Sequence, residues 1–405
     1  MKAPLKGQAI LLLAVNGLFV LSGALSGTFL NVYLWKSRQD YAMIGWFTVA
    51  QQIALGLVFW LAGKWVKEHN KMNVLRLGIG VSGLFYSLVL LAGSRAVYYI
   101  WPLGLLLGAA LGLFWLAFNI VYFEITDAAN RDRFNGWVGL LGSLTGMAGP
   151  WLSGLLITRL HGERGYRIVF MLSLGVYAAA AVLSFFLKKR KTEGSYSWAE
   201  PWKRLRTPGG LWRQVSLGLY FQGLREGVFS FLIGLLVFIY AKEESRLAQY
   251  TLITSAVSLV SYWAAGKWFK AKYRSAGMLA GAVLLVLVIV PLLWFNGYVP
   301  LLIMGIGTSL FIPLYMLPMV AGSFDLMGRT EESVEKRVEL VVVRELGLTL
   351  GRLTGILIYI GVLTLSHTPR TVTLLMLALG AAPLAGWLFM RRLFRRPAQA
   401  GKTGG

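Results

Sequence analysis

The chain has no cysteine in 405 residues, which removes disulfides and thiolate metal ligands from consideration. Charge is scarce as well: 14% of residues are Asp, Glu, Lys or Arg, where a soluble domain carries about a quarter. Acidic residues number 17, and the three histidines, His69, His161 and His367, lie far apart. There is no His/Cys ligand spacing, no Gly-rich phosphate loop between a strand and a helix, and no Gly-x-Ser-x-Gly elbow. These absences exclude an ordinary soluble enzyme, a disordered chain and a disulfide scaffold, and they leave no cofactor to expect.

Apolar residues fill the space. They make up 57% of the chain, with a mean hydropathy of +0.63, the profile of a polytopic membrane protein. A window of about 20 apolar residues predicts twelve transmembrane helices, at 8–34, 41–64, 72–94, 98–124, 135–158, 166–187, 212–239, 247–266, 274–295, 298–322, 339–364 and 371–391. The first run is too long for a signal-peptide core and is read as retained. One long polar stretch, rich in Lys, Arg, Gly, Ser and Pro, separates spans six and seven and reads as a linker. The predicted organisation is an N-terminal six-helix bundle at 1–187, a cytoplasmic linker at 188–211, a C-terminal six-helix bundle at 212–391 and a basic tail at 392–405. Within the linker, the segment 198–206 suits a short amphipathic surface helix with Trp198 and Trp202 dipping into the membrane.

The net charge of +23 comes from 40 Lys and Arg. Placed on the twelve-span topology, 28 fall on the side of the termini and nine on the other, with three arginines inside spans. Such a bias puts both termini in the cytoplasm and accounts for the basic character without a nucleic-acid partner. Aromatic residues at span ends, among them Tyr33, Trp35, Trp65, Tyr98 and Trp294, fit the headgroup region as anchors.

The halves repeat. Ala62-Gly63-Lys64-Trp65 after span two returns as Ala265-Gly266-Lys267-Trp268 after span eight, and Ser153-Gly154-Leu155-Leu156-Ile157 is echoed by Thr354-Gly355-Ile356-Leu357-Ile358. A fainter echo sets Gly108…Phe114 against Gly305…Phe311, with Asp127 and Asp325 at the inner ends of their spans. Six spans return the chain to its starting side, so the halves share parallel topology, an architecture that rocks about a central site. With its linker and its Gly-Lys loop after span two, the whole chain resembles the major facilitator superfamily of secondary transporters. Leu61-Ala62-Gly63-Lys64, with Lys67 and Lys71, resembles that family's 2–3 loop, and Lys64 and Lys267 are the gate candidates it implies. Gly63 and Gly266 stand where the family has Asp, so the carboxylate that locks this loop is missing. In span five, Gly136, Gly149, Pro150 and Gly154, with Thr145 and Ser153, are similar to a pattern of the family's drug–proton antiporters. Independently of family, small residues there and at Gly104, Gly108, Gly112, Gly347, Gly351 and Gly355 allow close helix packing, and Pro150 allows a bend.

Charges inside spans point to the site. A charge near the bilayer centre costs at least about 2.5–3.5 kcal/mol and so faces a cavity or a partner. Arg225 and Glu226 lie about 20 Å into span seven at 1.5 Å per residue. They point about 100° apart, so each needs its own partner, and Arg352 or Arg344 of span eleven suits Glu226. Glu226 is either the proton-binding carboxylate or half of a static ion pair. Arg344 and Glu345 read as a gate or structural pair, and Glu124 and Asp127 as helix-end charges paired with Arg131 and Arg133. Asn16, Asn31, Gln51, Gln52, Asn119 and Gln222 either line a pathway or bond between helices; the family resemblance implies that spans one, four, seven and ten surround the cavity.

The sequence therefore predicts an all-α secondary transporter of the bacterial plasma membrane. It is expected to be monomeric and to export a small amphipathic compound in exchange for protons, with Arg225, Glu226, Arg352, Asn31, Asn119 and Gln222 at the substrate and coupling site. Solute uptake or lipid translocation on the same fold is the nearest alternative. A membrane sensor or scaffold without turnover is an alternative of another class, and an integral-membrane transferase is more distant.

Overall fold

The computed structural model describes residues 5, 7–126, 130–160, 163–189, 194–268, 271–328, 330–366 and 368–395, with the backbone alone at 131, 132, 268, 271 and 395. Among the described residues there are no strands. The long helices are α1 (Gly7–Arg38), α2 (Tyr41–Glu68), α3 (Lys71–Ala92), α4 (Ile100–Ile125), α5 (Arg131–Leu160), α6 (Glu163–Ser184), α7 (Leu211–Ala241), α8 (Glu244–Trp268), α9 (Arg274–Leu287), α10 (Tyr298–Met327) and α11 (Arg337–Leu365), and α12 in two pieces (Pro369–Gly380 and Ala382–Arg395). Each expected span is helical. Two are shorter or broken where proline withholds an N–H from the ladder: α9 gives way to a 3-10 turn at Val290–Leu293 containing Pro291, and α12 breaks at Ala381 before Pro383.

Polar residues set the other ends. The Asp40 carboxylate accepts from the amides of Ala42 and Met43, and Asn70 accepts from Met72, so α2 and α3 start on side-chain caps. Gly93 takes φ +55°, a conformation glycine adopts without strain, where the chain folds over between α3 and α4.

Ten described stretches are long and apolar enough to cross a membrane, with α3 and α4 running as one stretch of 55 residues. α8 falls short because Thr251, Thr254, Ser255 and Ser261 dilute it. Their hydroxyls each donate to a backbone carbonyl, those of Ser255 to Gly146 of α5 and of Ser261 to Leu310 of α10. Polar groups satisfied in this way are tolerated inside a membrane bundle.

Helices α1–α6 pack into one bundle and α7–α12 into another, joined face to face by α2 against α11 and α5 against α8. Small residues make the closest contacts. A Cβ on Gly104 or Gly108 of α4 would strike the α2 backbone at Phe47 and Gln51, and one on Gly351 or Gly355 would strike α7 at Tyr220 and Leu224. Gly149 meets Ala24 and Leu25, and Gly154 meets Ala248. Gly136, expected to pack in the same way, has no atom within 4 Å of where its Cβ would stand, because α5 has left its neighbour by that level.

The repeat is visible in three dimensions. Lys71 at the start of α3 pairs with Glu124 at the end of α4, and Arg274 of α9 pairs with Asp325 of α10 at 2.6 Å. Gly78 packs on the backbone at Phe114, as Gly281 does at Tyr315. Gly104 faces Phe47, as Gly305 faces Tyr250. These contacts correct two expectations: the structural equivalent of Gly305 is Gly104 rather than Gly108, and the pairing carboxylate at the end of α4 is Glu124. It is ion-paired with Lys71, across to α3; the side chain of Arg131 lies outside the described residues. Asp127 lies outside the described residues.

Introducing a side chain separates packing glycines from idle ones. Gly351→Leu is expected to lower the thermal midpoint of the detergent-solubilised protein markedly, overpacking costing about 1–3 kcal/mol or more. Gly139→Leu, with open space around its Cβ, should leave it unchanged.

Candidate functional site

The close approach of α7 and α11 builds the central site. Gly223 and Gly227 of α7 face the backbone at Leu348, Gly351 and Arg352, so the side chain of Arg352 emerges next to Glu226. Arg352 Nη2 donates to Glu226 Oε1 at 2.6 Å and Nη1 to Glu345 Oε1 at 2.9 Å; Nη1 also reaches Gln52 Oε1 of α2 at 3.5 Å. One guanidinium thus spans two carboxylates of its own bundle and an amide of the other. The Glu226 side chain is 33% exposed, against 11% for Glu345.

The remaining sequence candidates are placed as follows. Arg225 is buried, with its guanidinium 4.5 Å over the ring of Phe229, and its Nε and Nη2 have no hydrogen-bond acceptor. Arg344 does not pair with Glu345, which Arg352 has taken. It lies 5.3 Å over the Phe324 ring of α10, and its Nε has no acceptor. Gln222 is buried beside Arg225 in the chain, with Oε1 unpartnered. Asn31 and Asn119 are half-buried. Lys64 is half exposed and 3.9 Å from Glu68, and Lys267 lies over the Trp263 ring, so both stand at the periphery.

The end of the molecule that carries the α2–α3 connection and the linker, here called the basic end, is closed. Phe324 packs on Tyr122 and Phe123 of α4, with centroids at 6.3 and 5.4 Å. The strongest tie across the halves is Lys67 Nζ to Glu339 Oε1, 2.6 Å, with Glu339 fully buried. Sequence reasoning named Lys64 and Lys267 among its gate or structural charges and did not foresee this pair. The same face of α2 carries Gly63, and here the missing Asp has an explanation: the Tyr196 ring of the linker lies against it, within 2.8–2.9 Å of where a Cβ would stand. Tyr196 N donates to Glu68 and its hydroxyl to the Trp60 carbonyl, while Ser197 N donates to Glu339. The vacancy of an Asp at position 63 was the one signal in the sequence that something else fills that space.

The linker continues as a short helix, Glu200–Arg206. Trp198 and Trp202 pack edge-on against Trp60 and keep part of their surface exposed. Arg204 bridges Glu200, at 2.6 Å, to Glu332, and Lys336 lies 3.4 Å from Glu200. Burial opposes ionisation of Glu200, but the hydrogen bonds and charges of Arg204 and Lys336 outweigh it and hold the carboxyl below its ordinary value of 4.5. Between this latch and the helix ends lies an open vestibule of about 1230 Å³ lined by Lys67, Lys71, Glu124, Arg337 and Glu339.

The far end is closed as well. Glu244 of α8 accepts from Lys36 of α1 at 2.7 Å and from the Tyr166 hydroxyl at 3.0 Å, and the Tyr359 hydroxyl donates to the Tyr41 carbonyl. The two bundles are thus tied to each other on both sides of the central charges, by Lys67–Glu339 at one end and by Lys36–Glu244 and Tyr359–Tyr41 at the other. Among the described residues no group of His, Asp and Glu has the clustering of a metal site.

Comparison with known proteins agrees with this architecture. The family model described as Major Facilitator Superfamily matches residues 12–329. The chain is 36% identical over 371 residues to the uncharacterized protein YqgE of Bacillus subtilis, covering 92% of this chain and 86% of that protein. Among solved structures, the human organic anion transporter MFSD10 superposes with a TM-score of 0.68 at 15% identity, covering 96% of this chain and all of that one. A bacterial homologue of the iron transporter ferroportin, in an outward-facing state, gives 0.66 at 13%, covering 96% and 99%. Identities this low speak to fold alone.

Two outcomes test the basic-end closure. Lys67→Gln leaves Glu339 buried without its cation, a defect of about 3–5 kcal/mol. Maleimide labelling of a single cysteine placed at the buried Gln222, beside Arg225, in this cysteine-free chain should then accelerate at least about tenfold. The lowered Glu200 value means that the latch's contribution is complete above the ordinary carboxylate range and is lost only as pH falls through the lower, folded-state value. Protease resistance of the linker should accordingly be constant from about pH 8 to about pH 5.

Proposed function

The chain belongs to the major facilitator superfamily, and on that premise we propose that it is a proton-coupled exporter of a small amphipathic compound. Secondary transport by alternating access follows from the family and the fold; the coupling ion and the direction are the proposal. The observation that carries it is the shared guanidinium of Arg352. Glu226 is the more exposed of the two carboxylates on it, and Gln52 ties the same guanidinium to the opposite bundle.

Protonating Glu226 removes the negative charge that holds Arg352 Nη2. The guanidinium is then left to Glu345 and Gln52, and the α7–α11 pair loses the interaction that fixes Arg352 in this position. A substrate that binds only one protonation state of this cluster is thereby linked to the proton gradient, since a ligand shifts a two-state equilibrium by its differential affinity for the states. In this reading the bundles 1–187 and 212–391 move as units about the linker 188–211. The basic end faces the cytoplasm of a bacterial plasma membrane, in keeping with the positive-inside bias, and the protein works as a monomer.

The same machinery run inward would give solute uptake, run sideways it would give lipid translocation, and without turnover it would leave a sensor. Flux into proteoliposomes under an imposed pH gradient separates them. Glu226→Gln, which keeps the shape and removes the titration, should abolish gradient-driven flux while the thermal midpoint stays near that of the parent. Driven flux at the parental rate in this variant would place proton coupling elsewhere.

A further inference from the structure

Polar residues leave α7 on two faces. Gly223 and Gly227 meet α11, and Glu226 joins that side through Arg352. Gly218, Gln222, Arg225 and Phe229 recur at intervals of three and four and so share a second face. That face looks into the C-terminal bundle. A Cβ on Gly218 would strike Met390 of α12, and the Phe229 ring lies 3.5 Å from where a Cβ on Gly380 would stand. Tyr315 of α10 borders the same space, with its hydroxyl against Gly386 of α12 and within electrostatic reach of Arg225. Arg225, Gln222 and Tyr315 are 5%, 3% and 0% exposed.

None of the three is satisfied. Arg225 Nε and Nη2, Gln222 Oε1 and the Tyr315 hydroxyl are buried without a hydrogen-bond partner. The Phe229 ring, 4.5 Å from the guanidinium, offsets part of its charge but supplies no lone pair for these donors. The charges do not balance either. Arg225, Arg344 and Arg352 stand with Glu226 and Glu345 in one electrostatic cluster, and both carboxylates are on Arg352. Among the described residues this cluster carries one positive charge in excess. Water would fill the hydrogen bonds and leave that charge in place, inside a span where unpaired charge is penalised. A monovalent anion answers both needs.

We propose that Arg225 and Tyr315, with the Gln222 amide turned to donate, form a binding site for one monovalent anion inside the C-terminal bundle, between α7, α10 and α12. The site is separate from the Glu226–Arg352 pair on the α11 face, so it stands whether or not Glu226 takes the coupling proton. Guanidinium and phenol donors suit a halide or a carboxylate. A cation meets the surplus of like charge, and a divalent anion overshoots it.

Thermal unfolding of the full-length protein in neutral phosphatidylcholine nanodiscs tests this without substrate or gradient. Sodium chloride or sodium acetate, exchanged at constant ionic strength for sodium gluconate with its bulky anion, should shift the midpoint upward until the effect saturates. Saturation by chloride marks a resident inorganic ion; saturation by acetate alone marks the acid group of a transported compound in the same site. Arg225→Gln should lose the shift, Arg225→Lys should keep it at about tenfold weaker affinity, and Arg344→Gln should keep it unchanged. Tyr315→Phe should weaken it about threefold or more. In gluconate, Arg225→Gln should unfold no earlier than the parent, because it removes a buried charge without a partner. A parent indifferent to both anions would overturn the site, as would an Arg225→Gln variant that responds as the parent does. Earlier unfolding of Arg225→Gln in every salt would show a structural arginine and overturn it too.

Discussion

The position of one guanidinium depends on the absence of side chains around it. Arg352 reaches Glu226 because Gly223, Gly227, Gly347, Gly351 and Gly355 let α7 and α11 approach until backbone meets backbone. In a bilayer no hydrophobic drive pushes helices together, so small residues and satisfied polar contacts set the geometry. A single Cβ in that seam separates the helices and lengthens a 2.6 Å ion pair whose partners are then left in a medium that penalises unpaired charge. Packing and electrostatics are here one constraint.

The halves share their scaffold and divide their chemistry. Lys71–Glu124 and Arg274–Asp325 brace equivalent helix ends, and Gly78 and Gly281 pack in equivalent places. The membrane-embedded charges, however, sit on α7 and α11 alone, and the first half contributes an amide, Gln52, to the network. A duplicated frame thus carries its central charges in one half. The Gln52–Arg352 contact spans the two bundles.

Closure at the basic end shows how a family device is rebuilt from other parts. With Gly63 in the place of an acidic residue, Tyr196 from the linker fills the space, and the lock becomes Lys67 on Glu339. The carboxylate has moved to the opposite bundle, so the lock joins the halves directly. The linker is consequently packed into this junction, held by Glu68, Glu339 and the Trp60 face.

The sequence by itself determined the twelve helical spans, the parallel repeat, the end that gathers Lys and Arg, and the place of Arg225, Glu226 and Arg352 within their helices. Each of these is written in local composition: apolar run length against bilayer thickness, Lys and Arg counts per loop, and 1.5 Å of rise per residue. It also narrowed the partner of Glu226 to two arginines. Only the tertiary structure chose Arg352 over Arg344, put the ion pair between the bundles on Lys67 and not Lys64, gave Glu124 to Lys71, and left Gly136 without a packing neighbour. Those choices turn on which face of a helix meets which neighbour and how closely, and that is decided by contacts between segments hundreds of residues apart, such as Lys67 with Glu339.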